Sequence, residues 1–221
     1  MALIVLEGID GSGKSTQFQY LCDHMDALER DYTRLVFPQY EKPSSALLQM
    51  YLKGDFGTDP SDVNPYAASV FYAVDRYASY KTVWCTAYRQ GALVLADRYT
   101  TSNAVHQGSK LQGEARQEFF RWLSEFEHEK MELPRPDAVL YMDVPVEVAI
   151  QNMRARQIAT ETEPDIHEMG AAYLRQCVQT AEDAAALYGW YRVRCTEHGK
   201  MRPEQEIHRE ILGILETAEL S

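Results

Sequence analysis

Nine residues near the amino terminus, Gly8-Ile9-Asp10-Gly11-Ser12-Gly13-Lys14-Ser15-Thr16, constrain this chain more than any other stretch. They satisfy G-x-x-x-x-G-K-[ST], and their flanks suit it. Residues 2–7 form a short apolar run that reads as a buried strand. Residues 17–30 read as a helix with Phe18, Leu21, Cys22, Met25 and Leu28 on one stripe. Gly8, Gly11 and Gly13 admit positive φ, so successive N–H groups can turn inward as a nest for phosphate oxygens. The helix adds its positive dipole end. Lys14 can reach β- and γ-phosphates, and the Ser15 hydroxyl can ligate Mg²⁺. Gly8, Gly11, Ser12, Gly13, Lys14, Ser15 and Thr16 are therefore the candidate nucleoside triphosphate site. The alternative, a glycine-rich turn that binds nothing, explains neither the full spacing nor the flanking strand and helix.

The rest of the chain alternates in the same way. Strands are expected at 33–37, 92–97, 138–144 and 190–195. Helices are expected at 44–53, 65–90, 114–130, from Pro145 to 154–156, at 166–187 and after Pro203. In the 65–90 helix the stripe Val63, Ala67, Val70, Phe71, Val74 and Ala78 reads as the core face. This order predicts a parallel sheet covered on both faces: an α/β chain, three layers α/β/α, with five parallel strands in one domain over 1–221. The helix–loop–helix around residues 154–166 reads as a short helical lid.

Composition narrows the function classes. With 22 basic and 33 acidic residues the formal charge is −11, so phosphate affinity must be local and nucleic acid is not an expected partner. No apolar run approaches membrane-spanning length, so no membrane partner is expected. The strand at the start of the chain predicts no signal peptide. The four cysteines lie far apart and read as reduced residues of a cytoplasmic protein, with no metal site among them.

Several positions are candidates for chemistry. Phe37-Pro38-Gln39-Tyr40 leaves the carboxyl end of a strand, where open parallel sheets bind ligands. Tyr72 and Arg76, four apart and opposite the expected core stripe, can stack on and hydrogen-bond a flat heterocycle, or form a solvated or subunit-interface face. Asp97 ends a buried strand in the Walker-B manner, placed for Mg²⁺, or else caps the next helix. Arg98 follows, placed for a phosphate. The polar stretch after it carries Ser102, Asn103, His106 and Gln107; the Asn103 amide can pair with a base edge. Arg154 and Arg156 are lid arginines or a solvated pair at a helix end. Tyr77, Tyr80 and Trp84 lie beyond the core stripe and suggest a homodimer face.

Taken together, Gly8 to Thr16, Phe37-Pro38, Phe71-Tyr72-Ala73-Val74-Asp75-Arg76, Asp97 to Asn103 and Gln107-Gly108 resemble the thymidylate kinase family over nearly the whole chain. The stretch 165–168 followed by Tyr173-Leu174 resembles one branch of it. The resemblance implies Mg²⁺- and ATP-dependent phosphorylation of dTMP to dTDP by direct in-line transfer, in dTTP biosynthesis, by a homodimer. It implies that Asp10 orients the acceptor phosphate and magnesium waters. Tyr72 would stack on thymine, where the family often has Phe. Arg76 would bond the base carbonyl, and Asn103 would face the base N–H. Arg98 would bind the dTMP phosphate, Lys14 would neutralise charge during transfer, and Asp97 would lie near magnesium. Phe37, Pro38, Tyr40, Ser102, His106 and Gln107 complete the dTMP set. Arg154 and Arg156 would contact ATP and the transferring phosphoryl group, because the loop itself has Gly11 and Ser12 where some members carry an arginine. His106 stands where many members have Tyr, and Gln39 where many have Arg. A deoxynucleoside kinase and a non-catalytic nucleotide sensor are the rival readings.

Overall fold

The computed structural model describes residues 2–160 and 171–220. Five strands form one parallel sheet: β1 (Ala2–Glu7), β2 (Tyr32–Val36), β3 (Leu93–Asp97), β4 (Ala138–Asp143) and β5 (Tyr191–Arg194), in the order β2-β3-β1-β4-β5. Every residue of β1 and β3 is buried, because helices cover both faces, whereas β2 and β5 are edges and partly exposed. The two-residue side-chain period splits β1 between two cores. Ile4 and Leu6 join Phe18, Leu21, Leu140, Ile207 and Ile211 on one face. Leu3 and Val5 join Trp84, Val94, Ala96 and Tyr99 on the other. This is the expected three-layer α/β/α arrangement.

The helices are α1 (Lys14–Ala27), α2 (Ala46–Lys53), α3 (Pro65–Ser79), α4 (Cys85–Arg89), α5 (Thr100–His106), α6 (Gly113–Ser124), α7 (Val146–Thr160), α8 (Ala171–Tyr188) and α9 (Glu204–Thr217). Wide π turns, Tyr80–Trp84 and Glu125–Lys130, follow α3 and α6. A small antiparallel hairpin, β6 (Thr196–Glu197) and β7 (Lys200–Met201), was not expected.

Two expectations about the 65–90 helix are corrected. The stripe assigned to the core of the 65–90 helix is inward only in part: Val63 is buried and Phe71 packs on Leu48 and Tyr51, but Val70 is 37% and Val74 43% exposed, while Ala68, Ser69, Ala73, Asp75, Arg76 and Ser79 are buried. The reason is polar. Asp75 accepts hydrogen bonds from the Gln39 N–H (2.8 Å) and the Ser44 hydroxyl (2.7 Å), and Arg76 has a buried carboxylate partner, so the charged residues turn inward. Tyr80 and Trp84 are core residues rather than a dimer face, and of the three aromatics proposed there only Tyr77 is exposed. The polar stretch after Arg98 is the wholly buried helix α5. In addition, α7 runs past Arg156 to Thr160, so both arginines assigned to the lid lie within a helix. Residues 161–166 of that lid, and the stretch 165–168, lie outside the described residues.

Candidate active site

The glycine loop connects β1 to α1 at the carboxyl edge of the sheet, beside the ends of β3 and β4. Gly11 has φ +80°, and a Cβ there would stand 2.2 Å from the Ala149 carbonyl oxygen, so the loop is pressed onto α7. Asn152 fixes it by donating from Nδ2 to the Gly11 carbonyl at 2.8 Å. Among the described residues no side chain caps α1, which leaves its first N–H groups for an anion. Lys14 Nζ lies 3.2 Å from Asp97 Oδ1, and the Ser15 hydroxyl donates to Asp97 Oδ2 at 3.1 Å. A cavity of about 470 Å³ spreads over this loop, lined also by Arg156 of α7 and by Met201, Arg202 and Glu204 beyond β5.

A second, narrower cavity of about 80 Å³ adjoins it, and Asp10, Pro38, Tyr40 and Arg98 line both. Tyr72, Ser102, Asn103, His106 and Leu52 close the rest. Arg98, held at φ +67°, sits at the junction. Its Nη2 donates to Asp10 Oδ1 at 2.7 Å. Its Nη1 reaches Ser102 Oγ (3.3 Å), Glu7 Oε1 (3.4 Å) and His106 Nε2 (3.1 Å). A guanidinium only donates, so His106 Nε2 faces it as an acceptor. Burial tends to raise the Asp10 carboxyl, but Arg98 first, with Lys14 and Arg156 among the other cations, outweighs it and holds the group well below the usual carboxylate range. Burial disfavours charge on Arg98, and Asp10, Glu7 and Asp97 more than compensate.

A triphosphate loop and a small pocket that meet at one arginine describe a phosphotransferase with a charged acceptor. The family model for thymidylate kinase matches residues 6–207. The chain is 32% identical over 157 residues to the thymidylate kinase of Mycobacterium tuberculosis (strain H37Rv), covering 70% of this chain and 71% of the other. It is 30% identical over 196 residues to that of Synechococcus sp. (strain CC9311), covering 86% of each. A probable thymidylate kinase of Pyrococcus abyssi matches at 31% over 153 residues, 69% of this chain and 70% of the other. This chain belongs to the thymidylate kinase family.

Most residues that the family resemblance singled out converge on the two cavities: Gly11 to Thr16, Asp10, Phe37, Pro38, Tyr40, Tyr72, Asp97, Arg98, Ser102, Asn103, His106 and Arg156. Three do not. Arg76, 1% exposed, does not line the acceptor cavity. Its Nε and Nη2 donate to Glu127 at 2.7 and 2.6 Å, one layer behind Asn103, whose Nδ2 donates to the same carboxylate at 2.9 Å. A buried guanidinium requires such a partner. Gln107 is fully buried and lines neither cavity, and among the described residues neither of its amide atoms has a hydrogen-bond partner. Arg154 is exposed and lines neither cavity; two residues apart on a helix means about 200° of rotation, so it cannot share the face of Arg156.

Sequence reading missed the residues that hold this thymidylate kinase site in shape. Glu7, fully buried at the end of β1, accepts from Thr101 Oγ1 (2.6 Å), Ser102 Oγ (2.7 Å) and Arg98. Its signal was available: a carboxylate ending a buried strand, the same pattern that flagged Asp97. Asp75 ties the Phe37–Tyr40 turn to α3. Glu127 gave no sequence signal, because it lies in a run of charges on a π turn. Met201, Arg202 and Glu204 reach the larger cavity through the unexpected hairpin and the start of α9.

Proposed function

We propose that the two cavities hold ATP and dTMP end to end and that the γ-phosphoryl group passes between them in line across the Asp10–Arg98 junction. Membership of the thymidylate kinase family makes the reaction ATP-dependent phosphorylation of dTMP to dTDP, a step of dTTP biosynthesis. The shared wall of the cavities is the observation that carries this reading. Backbone N–H groups of the loop and Lys14 receive the triphosphate. Arg98 receives the acceptor phosphate while Glu7 fixes its guanidinium. Asp10, ionised by its cationic neighbours, orients the attacking side. Arg156 faces the larger cavity and neutralises charge developing on the transferred group. Catalysis is then positioning and charge neutralisation, with no covalent intermediate.

Mg²⁺ fits the donor set. An octahedral ion with bonds of about 2.1 Å sets neighbouring oxygens about 3 Å apart, and Ser15 Oγ and Asp97 Oδ2 are 3.1 Å apart. No group of three metal-ligating side chains occurs among the described residues, which suits an ion held by these two residues, waters and phosphates. Ser15 and Asp97 would hold the ion, which would supply charge neutralisation at the phosphates.

Tyr72 and the Asn103 amide wall the base side, with Tyr51 packed edge-on against Tyr72 at 6.4 Å. The exposed stripe Val70, Val74 and Tyr77 on α3 suits a homodimer interface. A single catalytic domain with a lid near 154–166, at work in the cytoplasm, completes the proposal; no described helix is long and apolar enough to cross a membrane. A coupled ADP-release assay with each common nucleoside monophosphate, and with thymidine, tests it. Turnover is expected with dTMP and not with thymidine. Preference for thymidine, or no ADP release with any monophosphate, would refute it.

A further inference from the structure

A third cavity lies away from the Asp10–Arg98 junction. It encloses about 240 Å³ between the start of α5, the end of α6 and the α8–β5 turn. That is larger than the roughly 150 Å³ that accepts benzene. The rings of Tyr188 and Trp190, stacked at 6.1 Å and 21°, form part of its wall.

Its polar groups are unevenly satisfied. Thr100 is 5% exposed and lines the cavity, bringing a hydroxyl to its wall. His128 Nδ1 stands 3.0 Å from the Leu133 carbonyl, so that nitrogen carries the proton and Nε2 remains an acceptor. Burial lowers the pKa of this ring, which keeps it neutral. The Asp137 carboxylate accepts the Leu3 N–H through Oδ2 at 2.7 Å and keeps further acceptor capacity. Arg135, the one cation of the wall, is already turned to Ser124 Oγ (2.9 Å) and Glu129 (3.5 Å). The surplus is of acceptors beside an aromatic wall. That favours a flat, donor-bearing occupant over an anion.

We propose that this cavity binds a planar heterocycle presenting N–H donors, of the aminopurine or aminobenzimidazole class. The site is wired to the acceptor side. Thr101, next to Thr100, donates to Glu7 Oε2, and Glu7 Oε1 is 3.4 Å from Arg98 Nη1. Occupancy therefore acts on the KM for dTMP rather than for ATP. This second effect rests on the reading of Arg98 as the acceptor-phosphate ligand; the binding does not.

The test is a titration of the full chain with 2-aminobenzimidazole, with ADP and dTMP filling the active site. The Trp190 indole N–H resonance reports binding, assigned through Trp190→Phe. A saturable shift is expected, with a dissociation constant on the order of 1 mM for so small a ligand. Thr100→Val, which keeps the shape, and Asp137→Asn, which keeps the bond to Leu3, are each expected to weaken binding about tenfold and leave kcat unchanged. No saturable shift up to about 10 mM, as for a cavity holding only water, overturns the site. So does a shift that both variants leave unchanged. A genuine shift with an unaltered KM for dTMP overturns the link to Arg98.

Discussion

Replacing Arg76 separates a residue that touches the base from one that acts through its neighbours. Arg76→Ala strands Glu127, a fully buried carboxylate left, among the described residues, with only the Asn103 amide as donor. Breaking a buried pair in this way costs about 3–5 kcal/mol. At about 2–4 °C per kcal/mol for a chain of this size, the melting temperature should fall by roughly 6–20 °C. The double variant Arg76→Met with Glu127→Leu removes both charges and should recover most of that loss. It should not recover base selection, because the Asn103 amide has still lost the carboxylate that orients it. Thermal melts, together with kcat/KM for dTMP and dCMP on the single and double variants, read both effects. The reasoning fails if Arg76→Ala melts within about 2 °C of the parent yet loses its preference for dTMP. Arg76 would then act on the base directly.

Other outcomes follow from the same geometry. Arg156→Ala should lower kcat by about 10³ with little change in the KM for dTMP, while Arg154→Ala stays near the parent; steady-state kinetics with the roles reversed would contradict the assignment of faces on α7. Gly11→Ala should abolish ATP binding, measured by calorimetry, because its Cβ would collide with the Ala149 carbonyl at a backbone angle that alanine resists. Lys110 donates to the Tyr51 hydroxyl and the Val63 carbonyl, each at 3.0 Å, and burial lowers its pKa to about 8 from 10.5. The unfolded chain then binds more protons between these values, so this residue should add stability as pH rises from 8 to 10.5, by up to about 3 kcal/mol. The difference between parent and Lys110→Met in urea titrations across that window measures it. Asp10 has a depressed folded-state pKa, so its contribution should be full above the ordinary carboxylate value of 3.8 and decline as pH falls below it. Asp10→Asn should remove that part of the acid limb in the same titrations.

The strand–glycine loop–helix unit and the strand-end Asp97-Arg98 pair were legible because buried parallel strands read as unbroken apolar runs and the loop chemistry tolerates little variation. The register of α3 was not legible. Its apolar spacing points Val70 and Val74 to the core together with Phe71, whereas Asp75 and Arg76 turn inward and the two valines face out. Hydrophobic spacing cannot reveal that a charged residue will find a partner 51 positions away. The same limit hid Glu127. The arginines near 154–156 were read as a pair because they are close in sequence, but the continuation of α7 puts them on opposite sides.

The central claim is that donor and acceptor nucleotides meet at Arg98. A crystal structure of the chain with dTMP and a non-hydrolysable ATP analogue tests it most directly. The account predicts the triphosphate on the N–H groups of Gly11 to Thr16, the dTMP phosphate within hydrogen-bond distance of Arg98, and the thymine ring against Tyr72 and Asn103. A dTMP phosphate out of reach of Arg98, or a thymine ring lodged outside the cavity that Tyr72 and Asn103 line, would contradict it.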